Sequence, residues 1–184
     1  KDTEMSDAMR KSGFILPYKG IVPQISKSAF IAPTASVIGD VEIGDDTQLW
    51  YGVTVRGDVN DIKIGARTNI QDGSVIHVTH GVSGTYIGDD VTVGHSAILH
   101  ACTVHDKGFV GMQACVMDNA VVESYGMVAA GALVSPGKVV KSGELWVGRP
   151  ARPVRELTQE ERDYIDWSAP HYVKLGQEHK KNCA

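Results

Sequence analysis

The sequence predicts a mainly β chain wound as a parallel β-helix and finished by an α-helical tail. Three observations predict it. An aliphatic residue returns every six positions, small residues recur at a fixed offset from it, and the patterning turns helical near the C-terminus. The aliphatic series runs Ile31, Val37, Ile43, Leu49, Val55, then Ile64, Ile70, Ile76 after an offset, then Ile87, Val93, Leu99 after the loop "HVTHGVSGTY". After a step of five it continues as Val104, Val110, Val116, Val122, Val128, Val134, Val140. A helix cannot use this period, because 3.6 residues per turn would scatter the aliphatics around its circumference. A flat wall followed by a tight corner can. Three such walls close a triangular coil of about eighteen residues that stacks on the next at roughly 4.8 Å, with each aliphatic pointing into the prism. A β-sandwich would instead require alternating polarity and hairpin turns, which the pattern lacks.

The elements follow in chain order. Residues 1–13, "KDTEMSDAMRKSG", have no apolar run and are expected to be a flexible leader. Residues 14–150 form the hexapeptide-repeat β-helix, a fold that is left-handed where it occurs and so departs from the usual crossover rule. About six or seven coils fit between Ile31 and Val147, a prism roughly 30 Å tall. Residues 151–184 are expected to be a helical tail packed on the prism. Thr158 with Glu161 reads as a capping box, and Ser168 before Pro170 as a second helix start, with a kink near the proline. Tyr164, Ile165, Tyr172, Val173 and Leu175 would lie against one wall.

Composition narrows the function classes. A chain of 184 residues with 42% hydrophobic and 22% charged residues is ordinary globular material. A formal charge of −4 offers no basic footprint for nucleic acid. No apolar run approaches the ~18 residues of a membrane helix, so no membrane insertion is expected. The odd set Cys102, Cys115 and Cys183 argues against a disulfide framework and for a reducing compartment, the cytoplasm by default.

The histidines carry the chemistry. Of seven, five lie between positions 77 and 105, where the walls have little structural need for imidazole. His77 follows Ile76 and His100 follows Leu99, in the same place of their hexads. His95 lies eighteen residues beyond His77, one regular coil, so the spacing predicts three imidazoles at one level of the surface or of a subunit boundary. Three neutral imidazoles plus an open position describe a catalytic divalent-metal site, of the kind that lowers the pKa of water to about 7.

The run "RGDVNDIKIGARTNIQDGSVIH", followed by "YIGDDVTVGHSAILHACTV", resembles the gamma-class carbonic anhydrases and their bacterial and mitochondrial relatives. The resemblance extends from about Phe14 to Lys180 and includes "GRPARPVRELTQEE". It implies a homotrimer that interconverts carbon dioxide and bicarbonate at metal sites on its interfaces. His77 and His100 would come from one chain and His95 from its neighbour. Zn2+ is the conservative metal, with Fe2+ and Co2+ as alternatives. Gln71 would hydrogen-bond the reacting oxygens, or else be a surface amide at a coil corner. Arg56, Asp58 and Asp72 would make charge-assisted contacts at the subunit boundary, joined by Asn69, and orient the ligands. The mitochondrial relatives make the mitochondrial matrix the alternative compartment.

Departures from the family's archaeal prototype matter equally. Val59 stands where the prototype has a glutamate, and the long acidic loop with a proton-shuttle glutamate is replaced by "HVTHGVSGTY". The residue three places after His77 is His80, whose ordinary pKa suits proton relay at neutral pH. Tyr172 resembles a tyrosine that bacterial relatives place near the metal, or else packs its helix. Two other functions compete: a coenzyme-A-linked acyltransferase or thioesterase, since hexapeptide prisms often bind that cofactor, and a weakly active structural subunit of a respiratory complex.

Overall fold

In a computed structural model, which describes residues 12–183, the chain is a parallel β-solenoid of three walls closed by one C-terminal helix. The leader expected over residues 1–13 lies, apart from Ser12 and Gly13, outside the described residues. Every aliphatic of the repeat series is buried, none more than 8% exposed. Each is worth about 1.5–3 kcal/mol of removal from water, so the stacked column holds the prism.

Wall one contains the N-terminal halves of strands Ser36–Ile43 and Thr54–Ile64, then Val75–His77, Ile98–His100, Cys115–Val116 and Leu133–Val134. Wall two contains the C-terminal halves of the first two strands, then Thr85–Ile87, Thr103–Val104, Val121–Val122 and Val139–Val140. Because those two long strands bend around the corner, walls one and two are a single sheet. Wall three stacks Phe30–Ile31, Gln48–Leu49, Asn69–Ile70, Thr92–Val93, Phe109–Val110, Met127–Val128 and Glu144–Gly148, giving seven parallel rungs. The change of pattern after Pro150 is first a reversal of direction: Ala151–Glu156 runs antiparallel to Glu144–Gly148 before the helix begins.

The corners explain the period. In turn after turn the third residue beyond the inward aliphatic is left-handed, as at Asp46, Arg67, Asp90, Lys107, Asn119 and Tyr125 (φ 53–59°). A non-glycine residue there costs about 1–2 kcal/mol and persists because the ladders above and below over-determine it. The exception is informative. Leu99 to Val104 is the step of five, and there the left-handed residue is Ala101 (φ 48°), second after the aliphatic and next to His100.

The tail is one continuous helix, Gln159–Asn182, with the expected capping box at Thr158 and Glu161. The second start at Ser168 does not occur, and Pro170 lies inside the helix. Ser168 cannot cap because its buried hydroxyl is engaged with Thr92 Oγ1 at 2.8 Å. Burial of Ser168 and Ala169 against wall three offsets the backbone bond the proline removes. Ile165 is 3% exposed as expected, and Tyr172 packs edge-on against Trp50. Tyr164 does not reach the wall in the same way: it remains 49% exposed, touching Phe109 only by its ring edge. Gly176 is needed for close approach, since a Cβ there would sit 2.6 Å from Gln48 Cγ. The helix thus packs on wall three, against Phe30–Ile31, Gln48–Leu49, Asn69–Ile70 and Thr92–Val93.

Candidate metal centre

The first candidate cluster occupies the corner between walls one and two. Val75–His77 and Ile98–His100 pair in register, which sets His100 directly beside His77. Their rings are 5.2 Å apart, and His77 Nδ1 lies 3.3 Å from His100 Nε2. The outward nitrogens are both held by carboxylates. His77 Nε2 meets Asp58 Oδ1 at 2.9 Å, and His100 Nδ1 meets Asp118 Oδ1 at 2.7 Å. A carboxylate accepts only from a protonated ring nitrogen, so each neutral imidazole is left with its lone pair on the nitrogen facing the other ring. Two lone-pair nitrogens 3.3 Å apart match the edge, about 3.4 Å, of a tetrahedron with metal–nitrogen bonds of about 2.0–2.1 Å. The donor set fits a divalent metal.

The surrounding charges are ordered around this pair. Burial acts to raise the Asp58 carboxyl, but hydrogen bonds from His77 and Arg56 together bring it below the ordinary range. Arg56 pairs with Asp58 within the same chain while its own side chain stays 44% exposed. Asp118 is lowered chiefly by the hydroxyl of Thr79, against a smaller cost of burial, with His100 adding to the lowering. Thr79 Oγ1 donates to Asp118 Oδ2, so the carboxylate is held from two sides.

His95 is elsewhere. The pairing of Asn69–Ile70 with Thr92–Val93 aligns Asp72 with His95 at the corner between walls three and one. There His95 Nδ1 meets Asp72 Oδ2 at 3.0 Å, both side chains nearly half exposed. The eighteen-residue argument for stacking His95 on His77 is therefore corrected. The loop after His77, closed by a bridge between Thr79 and Ser83, lengthens that coil, so His77 stacks on His100 and Asp72 on His95. Among the described residues no group of three or more His, Cys, Asp or Glu in this one chain is arranged to hold a metal.

Gln71 and Tyr172 share the His95 corner. They line, with His95, Thr92, Phe109, Met112 and Met127, a groove of about 470 Å3 between wall three and the helix. Gln71 is 6% exposed; its Nε2 donates to Asn69 Oδ1 at 3.1 Å, and Asn69 Nδ2 donates to Thr92 Oγ1 at 2.9 Å. Asn69 is thus a fully buried brace for Gln71, while Arg56 and Asp58 pair at the other corner of wall one. Burial pushes the Tyr172 phenol up, the charge of Asp72 adds to this, and a hydrogen bond with Gln71 partly counters it. His80 is exposed on the loop that begins beyond His77. Asp118 and Thr79 were not singled out from the sequence. Asp118 lies one place beyond the residue stacked on His100, because Leu99 pairs with Val116, and the step of five between Leu99 and Val104 was the signal that could have found it.

No family model matches the chain. Over 162 residues it is 53% identical to a protein of Arabidopsis thaliana named gamma carbonic anhydrase 1, mitochondrial, a match that takes in 85% of the chain. The chain spans 59% of that plant protein's length. It is 42% identical over 166 residues to a protein of Geobacillus kaustophilus named carbonic anhydrase, covering 90% of the chain and 91% of the relative. Among solved structures, a hexapeptide transferase family protein from Anaplasma phagocytophilum superposes with a TM-score of 0.87 at 50% identity, over 90% of this chain and 97% of that one.

Proposed function

The chain belongs to the gamma carbonic anhydrase family, and on that premise we propose that it catalyses the reversible hydration of carbon dioxide to bicarbonate. The reaction takes place at a divalent metal held between two protomers of a homotrimer. The observation that carries this reading is the converging pair His77 Nδ1 and His100 Nε2, each with its outer nitrogen held by a carboxylate. Two ligands leave the coordination incomplete, and His95 at the other edge of wall one supplies the third to the neighbouring protomer.

The surface of wall one supports the trimer. Its outward ladder is Val75, Ile98, Cys115 and Leu133, with Val75 39% and Ile98 44% exposed. An apolar strip on a stacked wall calls for a partner, and cyclic closure around a threefold axis buries the same strip on every copy. Such closure also brings the His77 corner of one protomer to the His95 corner of the next.

The residues have separate tasks. Zn2+ is the conservative occupant, and Fe2+ or Co2+ suit the same ligands. The bound ion would supply a nucleophile at neutral pH by lowering the pKa of water to about 7. Arg56 and Asp58 fix the His77 ring, and Asp72 orients His95. Gln71, its Nε2 braced by Asn69, would present Oε1 to a proton-bearing oxygen of the reacting group. The groove lined by Phe109, Met112 and Met127 admits apolar carbon dioxide and disfavours water. His80 accepts the proton released in hydration, with Tyr172 as the alternative carrier. The three cysteines are free, and a reducing compartment, cytoplasm or mitochondrial matrix, suits them.

Subunit mixing tests the reading. His77→Ala and His95→Ala should each lose bound metal and hydration activity while staying folded, because stacked aliphatics rather than the ion hold the prism. After subunit exchange of equal amounts, about a quarter of the interfaces pair an intact half from each variant. Metal content and activity should return to roughly that fraction. Demonstrated exchange with no recovery would show that His95 does not complete the site across the interface.

A further inference from the structure

We infer that Asp118, held in place by Thr79, is a positioning residue that sets which nitrogen of His100 faces the metal. The inference rests on the reading of His100 as a ligand and extends it one coil upward, to residues that do not themselves touch the ion.

The geometry starts from coil lengths. Val116 pairs with Leu99, so Met117 stands beside His100 and Asp118 lies one place further round the corner. The short corner after His100, with left-handed Ala101, turns His100 Nδ1 toward that place. Asp118 Oδ1 then accepts from Nδ1 at 2.7 Å. A carboxylate that is free to rotate would not select an orientation. Asp118 is not free, because its second oxygen accepts from the Thr79 hydroxyl. Thr79 in turn is fixed by the bridge to Ser83 that closes the inserted loop. Thr79 Oγ1 also lies 3.5 Å from His100 Nδ1, so one hydroxyl and one carboxylate frame the same nitrogen.

The chemical consequence is a tautomer. Neutral imidazole carries one proton, and an acceptor at Nδ1 keeps it there, leaving Nε2 as the lone pair aimed at His77 Nδ1. Without the carboxylate, the proton distributes over both nitrogens and the ring rotates away from the tetrahedral edge. Outer hydrogen-bond partners of this kind commonly change metal affinity about 10–100-fold when removed. The inserted loop therefore does more than lengthen a coil: it carries the hydroxyl that locks the acceptor.

The test uses the metal-free full chain and two variants. Asp118→Asn keeps the shape but offers an amide that can donate to Nδ1, and Thr79→Val keeps the β-branched shape without the hydroxyl. Nitrogen-15 spectra are recorded at a pH where the shifts themselves show the imidazoles to be neutral. Wild-type His100 should be protonated at Nδ1, and Asp118→Asn should shift the proton to Nε2 or to a mixture. Zn2+ affinity, read by chelator competition, should fall about 10–100-fold in Asp118→Asn and within about tenfold in Thr79→Val. The melting temperature of the metal-free variants should match wild type, which a merely structural role would not predict. A wild-type His100 protonated at Nε2, or an Asp118→Asn variant with unchanged tautomer and unchanged Zn2+ affinity, overturns the inference. Wild type that takes up no Zn2+ would instead sink the ligand assignment, while the tautomer still decides what Asp118 does.

Discussion

The two corners that flank wall one make an instructive pair. At the corner with wall two, His77 and His100 are a third or less exposed, face each other, and have their outer nitrogens tied to Asp58 and Asp118. At the corner with wall three, His95 is nearly half exposed and its partner Asp72 is equally open. Yet the open corner also holds buried polar side chains, with Gln71 connected through Asn69 and Thr92 to Ser168 of the helix. One corner therefore presents two facing imidazoles held by carboxylates, and the other an exposed imidazole beside a buried amide scaffold. On the proposed reading, in which the site is divided between copies, each half has to be rigid before the other arrives.

Breaking the contact between the halves should have the largest effect. Ile98→Asp introduces a charge at the centre of the bare apolar ladder without touching either histidine, and its side chain points outward, so the prism can still stack. Light scattering should report monomers, with metal content and hydration activity near zero. A variant that stays trimeric and active would show that wall one is not the interface. The second test sharpens the comparison at the scaffold corner alone. Gln71→Ala should keep near wild-type metal content and lower kcat about 10–100-fold, less than or similar to loss of a strong oxyanion donor. Loss of metal in that variant would instead make Gln71 a support for His95.

How much of this was legible depends on what each residue answers to. The inward aliphatics from Ile31 to Val140 answer only to the period, and the period was plain, so the three walls and seven rungs followed. The left-handed corners were not legible, because Arg67, Lys107 and Tyr125 have no preference for that conformation and adopt it under constraint from neighbouring coils. Ser168 signals a helix start locally and is overruled by its contact with Thr92. At the site, the residue types were readable but their pairing was not. Eighteen residues is one coil only where the corners are regular; the loop after His77 lengthens its coil, so that His77 pairs with His100, and the step of five after Leu99 shortens the next, so that Leu99 pairs with Val116. Those two irregularities are why His95 was misplaced and Asp118 was not singled out.

The smallest expected effect concerns His80, which belongs to the closed corner in sequence but to solvent in space. Each hydration releases one proton that must reach buffer, and neither Asp58 nor Asp118 suits that task, because both are held below the ordinary carboxylate range and are engaged with imidazoles. An exposed imidazole can take up a proton and hand it to buffer, the part this side chain most often plays in general acid–base catalysis. Val59, where the archaeal prototype has a glutamate, can carry nothing. His80→Ala should therefore slow steady-state hydration several-fold in dilute buffer and be rescued by added imidazole, with metal content unchanged. Isotope exchange between carbon dioxide and bicarbonate at equilibrium should stay near wild type, because it requires no net proton export. If the steady-state rate in dilute buffer is also unchanged, proton transfer runs from the other corner, and Tyr172, in contact with Gln71, becomes the residue to replace next.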